Sequence, residues 1–136
     1  MGRTEKGGLL KNPGFTFVEL LVTMAVIGIL ASLALPQLQG FRRRSMVSTM
    51  QADLRTFAMH QESHFYDTST YTDDLVVLRA KGFQNSPEVS VTVNEATFLG
   101  WAATMKHAQL LIECYMFIGN AAPVGTAVAE GQIACS

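Results

Sequence analysis

The chain has little of the chemistry that catalytic and metal sites require. Among its 136 residues are two cysteines, three histidines and one tryptophan. The sequence contains no CxxC pair, no G-x-G-x-x-G, no P-loop and no nucleophile motif. Because catalysis needs such groups at a defined spacing, we expect neither an enzyme nor a bound cofactor.

Charge is missing from one long stretch near the N-terminus. Residues 15–38 read FTFVELLVTMAVIGILASLALPQL, and no charged residue occurs from Leu20 to Leu35. About 20 apolar helical residues cross the hydrocarbon core of a bilayer. The stretch therefore predicts a transmembrane helix over residues 15–38.

Glu19 is the one charged residue inside this stretch. A carboxylate in hydrocarbon costs about 2.5–3.5 kcal/mol or more, and such a residue is functional by default. The residues three and four positions away from it include no cation. A partner for Glu19 therefore has to come from processing of the chain or from another molecule.

The segment Gly14 to Glu19, GFTFVE, followed by an apolar helix, resembles the class III signal of type IV pilins and pseudopilins. The resemblance implies that residues 1–14 are a leader, cleaved after Gly14 by a prepilin peptidase. It also implies methylation of the new amino terminus on Phe15. In the family, the glutamate at the position of Glu19 pairs with the terminal amine of a neighbouring subunit as the filament grows.

Gly28 and Pro36 are the weak points of the anchor helix. Proline removes a backbone hydrogen bond and clashes one turn back, and glycine costs about 1 kcal/mol relative to alanine. The residues alone leave a simple kink at Pro36 open. The resemblance implies that the segment instead loses helical structure locally in an assembled filament.

Residues 39–136 are predicted to form a small α+β domain. An amphipathic pattern predicts a helix over residues 39–66. Turn formers predict a connecting loop over 67–87, and strand-like runs predict an antiparallel sheet over 88–119, followed by a tail over 120–136. The three runs are residues 88–94, 98–105 and 111–119. The sheet is expected to pack on the helix at Leu54, Phe57 and Phe65, with Trp101 as a core residue and a last edge strand within residues 131–135.

Cys114 and Cys135 lie 21 positions apart. An even pair in a chain with an export signal indicates a disulfide in an oxidising compartment. Closing a loop of that size contributes about 3 kcal/mol by the chain-entropy estimate. The pair also resembles the disulfide-bounded C-terminal loop of many type IV pilins. The order of helix, loop, sheet and tied tail is similar to the type IV pilin fold.

Two further pairs have a spacing that suggests ligand binding. His60 and His64 share a helix face, but HQESH is not H-E-x-x-H and no third ligand is placed, so surface polar residues are favoured. Asp73 and Asp74 lack the alternating ligands of a calcium loop and are interpreted as charges at a helix start. No metal site is expected.

Arg42–Arg44, just beyond the anchor, have three interpretations. They can contact lipid phosphates, or pair with a neighbouring subunit, for which Asp53 and Glu62 are candidate partners. Contact with DNA phosphates has no support from the overall charge, because the chain is net acidic. The leader is also basic, so charge alone does not place the domain outside the cytoplasm. The cysteine pair and the resemblance both place the domain outside the cytoplasm.

These features predict the precursor of a structural subunit of a type IV pilus, held in the inner membrane with its domain on the periplasmic side. The resemblance implies further copies of the chain, prepilin peptidase, the inner-membrane assembly machinery and minor pilins as partners. It also implies an extracellular filament after assembly. A minor pilin or a type II secretion pseudopilin is the alternative within the family. From another class, a membrane-tethered binding domain that never assembles predicts no processing at Gly14.

Overall fold

A computed structural model describes residues 14–136 of the chain. These residues belong to two compact units, the first ending at Leu38 and the second comprising Gln39–Ser136. The elements are α1 (Phe17–Thr68), α2 (Leu75–Ala80), β1 (Val89–Ala96), β2 (Gly100–His107), β3 (Glu113–Gly119) and β4 (Ala134–Cys135). The long helix, the small antiparallel sheet and the C-terminal disulfide confirm the predicted α+β class. Except for Gly14, the predicted leader lies outside the described residues.

The first unit is the apolar part of α1. Every side chain from Gly14 to Leu38 is exposed. By length and composition, α1 is the one helix within residues 14–136 that can cross a membrane. A helix that is hydrophobic on every side requires apolar surroundings on every side. The segment can therefore be surrounded by lipid or pack against other apolar helices.

The core of the second unit lies between one face of α1 and the sheet. Met50, Leu54 and Phe57 are fully buried on α1, at the spacing i, i+4, i+7 that places residues on one helix face. The Phe57 ring meets the rings of Phe83 and Trp101 edge to face, with centroids 5.4 and 5.2 Å apart. The predicted helix face and the predicted core role of Trp101 are confirmed.

Phe65 departs from its predicted place in this core. It is half-buried, and its ring stacks on Tyr71 with centroids 4.7 Å apart. Tyr71 belongs to the loop after α1, and its backbone N–H donates to Thr97 O at 3.1 Å. Phe65 therefore holds the connecting loop rather than the sheet.

Two buried polar residues of α1 fix the chain that follows it. The Gln61 amide donates to Thr72 O at 2.6 Å, and its carbonyl oxygen accepts from Thr72 N at 3.1 Å. Asp53 accepts from both the backbone N–H and the hydroxyl of Ser86, at 2.7 and 2.9 Å. These bonds satisfy polar groups that would otherwise be costly to bury.

The sheet is a meander in the order β1-β2-β3-β4, with every neighbouring pair antiparallel. A register shift between Val93 and Glu95 bulges β1 at Asn94. The Asn94 side chain accepts from the buried Thr104 hydroxyl at 2.8 Å. The predicted last edge strand is present, but it is limited to the two residues of β4.

The tail after β3 covers the second face of the sheet. Ala102 and Phe117 of the sheet pack there against Ala121 and Ala127 of the tail. The predicted disulfide is present between Cys114 and Cys135, paired residues of β3 and β4. The sheet is thus enclosed between α1 and the tail.

Candidate assembly site

The N-terminus of α1 is capped by two side chains that bond to each other's backbone N–H groups. Thr16 donates its backbone N–H and its hydroxyl to Glu19 Oε2, both at 2.8 Å. The Thr16 hydroxyl oxygen in turn accepts from Glu19 N at 3.2 Å. This is a capping box, in which a threonine before the helix and a glutamate three residues later satisfy each other's free N–H groups. The pair fixes both the helix start and the direction of the Glu19 carboxylate.

Sequence reasoning placed Glu19 in the site and missed Thr16. The T-x-x-E spacing before an apolar run is a readable sign of a helix N-terminus. Thr16 was missed because only positively charged partners of Glu19 were considered, whereas the hydroxyl and the backbone N–H of Thr16 are neutral donors.

Gly14 and Phe15 precede the helix and are exposed. A Cβ at Gly14 would meet nothing within 4 Å. The peptide bond between them therefore lies in exposed, non-helical chain.

Comparisons with known proteins find a family motif at this end of the chain and several relatives of the chain. A family model described as the prokaryotic N-terminal methylation motif matches residues 10–35. The chain is 38% identical over 63 residues to the type IV major pilin protein PilA of Myxococcus xanthus, covering 46% of this chain and 29% of that protein. It is 34% identical over 74 residues to the type IV wide pilus major component PilA4 of Thermus thermophilus, covering 54% and 56%. It is 48% identical over 40 residues to the type IV major fimbrial protein FimA of Dichelobacter nodosus, covering 29% and 26%.

The chain is similar to type IV pilins in its N-terminal methylation motif and in these relatives. It spans between about a quarter and a little over half of the length of these relatives. The residues matched by the family model, 10–35, include the capping box and much of the apolar helix. Its disulfide and its small antiparallel sheet also fit the type IV pilin fold.

In this chain, α1 continues through both predicted weak points. Gly28 and Pro36 lie inside the helix, with helical residues on either side. A Cβ at Gly28 would meet nothing within 4 Å, so packing within residues 14–136 does not demand glycine there. Local loss of helix in a filament stays a prediction.

The arginines beyond the anchor are exposed, and one partner suggested for them is wrong. Asp53 is only 7% exposed, and Ser86 occupies both of its oxygens. Glu62 is exposed and accepts from the Tyr71 hydroxyl at 3.0 Å. Burial, together with this hydrogen bond and the charge of Glu62, raises the pKa of Tyr71 to about 12. Of the two carboxylates, only Glu62 is accessible to a second molecule.

The two helical histidines do not form a metal site with other residues. Among residues 14–136, no three His, Cys, Asp or Glu side chains are grouped to hold a metal ion. The His60 ring lies edge-on to Phe83 at 5.8 Å. The prediction that His64 is a surface residue is wrong, because it lies seven positions after Phe57 on the buried face of α1.

Proposed function

We propose that the chain is the precursor of a structural subunit of a type IV pilus. Residues 15–38 hold the subunit in the inner membrane, a prepilin peptidase cleaves it after Gly14, and Phe15 is methylated. The inner-membrane machinery then packs its N-terminal helix against those of other copies, with minor pilins as further partners. The observation that carries the proposal is the methylation motif over residues 10–35, leading into a helix that is exposed and apolar on every side.

The hydrogen bonds of Glu19 leave part of its carboxylate open to a partner. Both bonds from Thr16 end on Oε2, whereas Oε1 accepts no hydrogen bond within residues 14–136. A cleaved chain carries a positive amine on Phe15, and charge-assisted hydrogen bonds are about twice as strong as neutral ones. Oε1 would accept the amine of a neighbouring copy while Oε2 keeps the helix capped. This pairing offsets the cost of an unpaired carboxylate in an apolar filament core.

The exposed apolar surface of residues 15–38 supports storage and assembly alike. In lipid, helix association gains nothing from the hydrophobic effect, because lipid tails are as apolar as the side chains. Outside the bilayer, the same surface is stabilised by burial at about 25 cal/mol per Å² of apolar area. Copies of the same helix offer a matching surface, so extraction from the membrane favours a bundle of helices.

The disulfide supports a periplasmic position for the domain before assembly. Cys114 and Cys135 are bonded, and disulfides persist in oxidising compartments such as the periplasm and the cell exterior. A subunit in this orientation passes from the inner membrane into an extracellular filament without moving its domain across the bilayer.

One relative favours a second candidate within the family. The chain is 38% identical over 60 residues to a probable minor fimbrial protein of Dichelobacter nodosus, covering 44% of this chain and 38% of that protein. A minor pilin or a type II secretion pseudopilin would be processed in the same way. Mass spectrometry of sheared filaments separates the candidates, because a major subunit is the predominant chain and a minor one is scarce.

The decisive experiment is the intact mass and N-terminal sequence of the protein from a host that carries the peptidase. A chain that begins at methylated Phe15 supports the proposal. A chain that begins at Met1 contradicts it and leaves a membrane-tethered binding domain. Gly14→Trp should block cleavage. Gly28→Ala is a matched control in the same segment and should leave cleavage unchanged, because a Cβ there meets nothing within 4 Å.

A further inference from the structure

We propose that a groove on α1, just beyond the membrane segment, binds the phosphate of an anionic phospholipid in the outer leaflet of the inner membrane. This arginine groove has a volume of about 440 Å³. Its lining residues are Gly40, Arg43, Arg44, Val47, Ser48 and Gln51. The inference rests on the proposed function, because only a membrane-stored subunit meets such a lipid.

The groove is one face of the helix, with donors around an apolar floor. Gly40, Arg44 and Val47 follow the spacing i, i+4, i+7 and lie on one stripe, with Arg43 beside them. Gly40 and Val47 form the floor. A Cβ at Gly40 would meet nothing within 4 Å, so the space above the glycine is open.

Three donor residues of the groove have no partner within the described residues, whereas Gln51 donates to Cys135 Sγ. Within residues 14–136, none of the ion pairs or side-chain hydrogen bonds involves Arg43, Arg44 or Ser48. A guanidinium presents its N–H groups as a planar fork that fits two phosphate oxygens, and this is why arginine is common at phosphate sites. Two free guanidinium groups and a hydroxyl on one face therefore suit a single phosphodiester.

The sequence places the two arginines of the groove just beyond the membrane segment. Arg43 and Arg44 follow Leu38 by five and six residues. Residues that follow a membrane-spanning helix meet the polar headgroup layer of the bilayer. Arginine side chains reach toward phosphates in this layer while their stems remain on apolar surface.

The described residues favour lipid over the other partners of a basic cluster. Asp53, the next acidic residue along α1, is buried and bonded to Ser86, so it cannot pair with the groove of a second copy. Glu62 is exposed but already accepts from the Tyr71 hydroxyl, so pairing with a second copy is kept as an outcome of the test. The chain is net acidic, with a formal charge of −1, which disfavours a polyanion such as DNA. Under the proposed function, in contrast, the base of the helix lies at an anionic membrane surface.

The test is a titration of the mature full-length chain in zwitterionic micelles with dioctanoyl-phosphatidylglycerol, followed by the amide NMR signals of Gly40 and Ser48. Each arginine near an anionic surface changes lipid affinity by about fivefold. We therefore expect the Arg43→Ala/Arg44→Ala double variant to bind about 25-fold more weakly. Gly40→Leu fills the floor without changing the charge and should also weaken binding. Inorganic phosphate should bind far more weakly than the lipid, because it lacks the membrane that concentrates the headgroup.

Arg55→Ala is the matched control, since Arg55 is an exposed α1 arginine outside the groove. We expect this variant to bind the lipid as the parent does. Equal losses in Arg55→Ala and the double variant would overturn the groove in favour of general charge. So would unchanged binding in the double variant, or saturation of the groove by DNA or by a second copy instead of lipid. Cleavage after Gly14 without lipid binding overturns the groove alone, whereas lipid binding without cleavage in the host overturns the proposed function.

Discussion

Replacing Asp53 should show how much stability its buried hydrogen bonds contribute beyond side-chain packing. Its two oxygens accept from the backbone N–H and the hydroxyl of Ser86, at 2.7 and 2.9 Å. Asp53→Ala leaves both donors without a partner in a buried site. Each unsatisfied donor costs about 1–3 kcal/mol, so we expect a loss of about 3 kcal/mol. In a unit of about 100 residues, this lowers the melting temperature by about 12–24 °C.

The assay is thermal unfolding of the full mature chain in micelles, followed by the near-UV circular dichroism of Trp101. This tryptophan is fully buried in the second unit and is the only one in the chain, so its signal reports the core. Asp53→Asn keeps one acceptor and should lose about half as much stability. Asp73→Ala, an exposed carboxylate, serves as the control. A melting temperature of Asp53→Ala within about 2 °C of the control would refute the assignment, because no buried donor would then have been left unpaired.

Three further predictions concern the helix start, the tail and the loop after α1. Glu19→Gln keeps an acceptor for Thr16 but removes the charge, so we expect cleaved chains to accumulate in the membrane without filaments. Normal filament yield from this variant, with loss in Glu19→Ala, would assign Glu19 to capping alone. Cys135→Ser should lower the free energy of unfolding by about 2–4 kcal/mol in denaturant titrations. Reductant should have no further effect on the stability of this variant. An equal response to reductant in the variant and the parent would contradict the role of the disulfide. The Lys81 ammonium bonds to Asp67 and holds the pKa of that carboxyl below its usual value. A carboxyl whose pKa is lower in the folded state than in the unfolded state stabilises the fold at pH values above its unfolded-state pKa. This stabilisation is lost as the pH falls. Acid titrations of the parent should therefore show a small loss of stability below about pH 4 that is absent in Lys81→Gln.

The parts of this fold that could be read from sequence are those set by periodicity over many residues. The spacing of Met50, Leu54 and Phe57 identifies the buried face of α1, because 3.6 residues per turn leave few other arrangements. The same stripe contains Gln61 and His64, whose chemistry suggests a surface. Periodicity predicted the burial of both side chains better than their polarity did, because position on the helix decides burial. The loop after α1 then supplies hydrogen-bond partners for Gln61.

Strand limits and local contacts were less accessible to sequence. The apolar pair Phe98 and Leu99 suggests an early start for β2, yet both residues are exposed in the turn before Gly100. Thr97 closes this turn by accepting from Leu99 N and donating to Gly100 O. The turn depends on hydrogen bonds that no hydrophobic pattern records. The capping box was different, because T-x-x-E is a pattern with a known mechanism.

The sheet itself argues for assembly through α1. A free sheet edge is a template for pairing with another chain, and natural proteins cover or bend such edges. At the outer edge of β3, Gly131 N donates to Phe117 O, and Glu130 accepts from Gly119 N at 2.6 Å. At the other edge, β1 is bent by its bulge, and the Asn85 amide donates to Val89 O. Some backbone groups at each edge are thus already engaged, which disfavours growth by strand addition there. The surface of the described chain that is both apolar and uncovered on all sides is the helix from Phe17 to Leu38, which supports the proposed assembly through this helix.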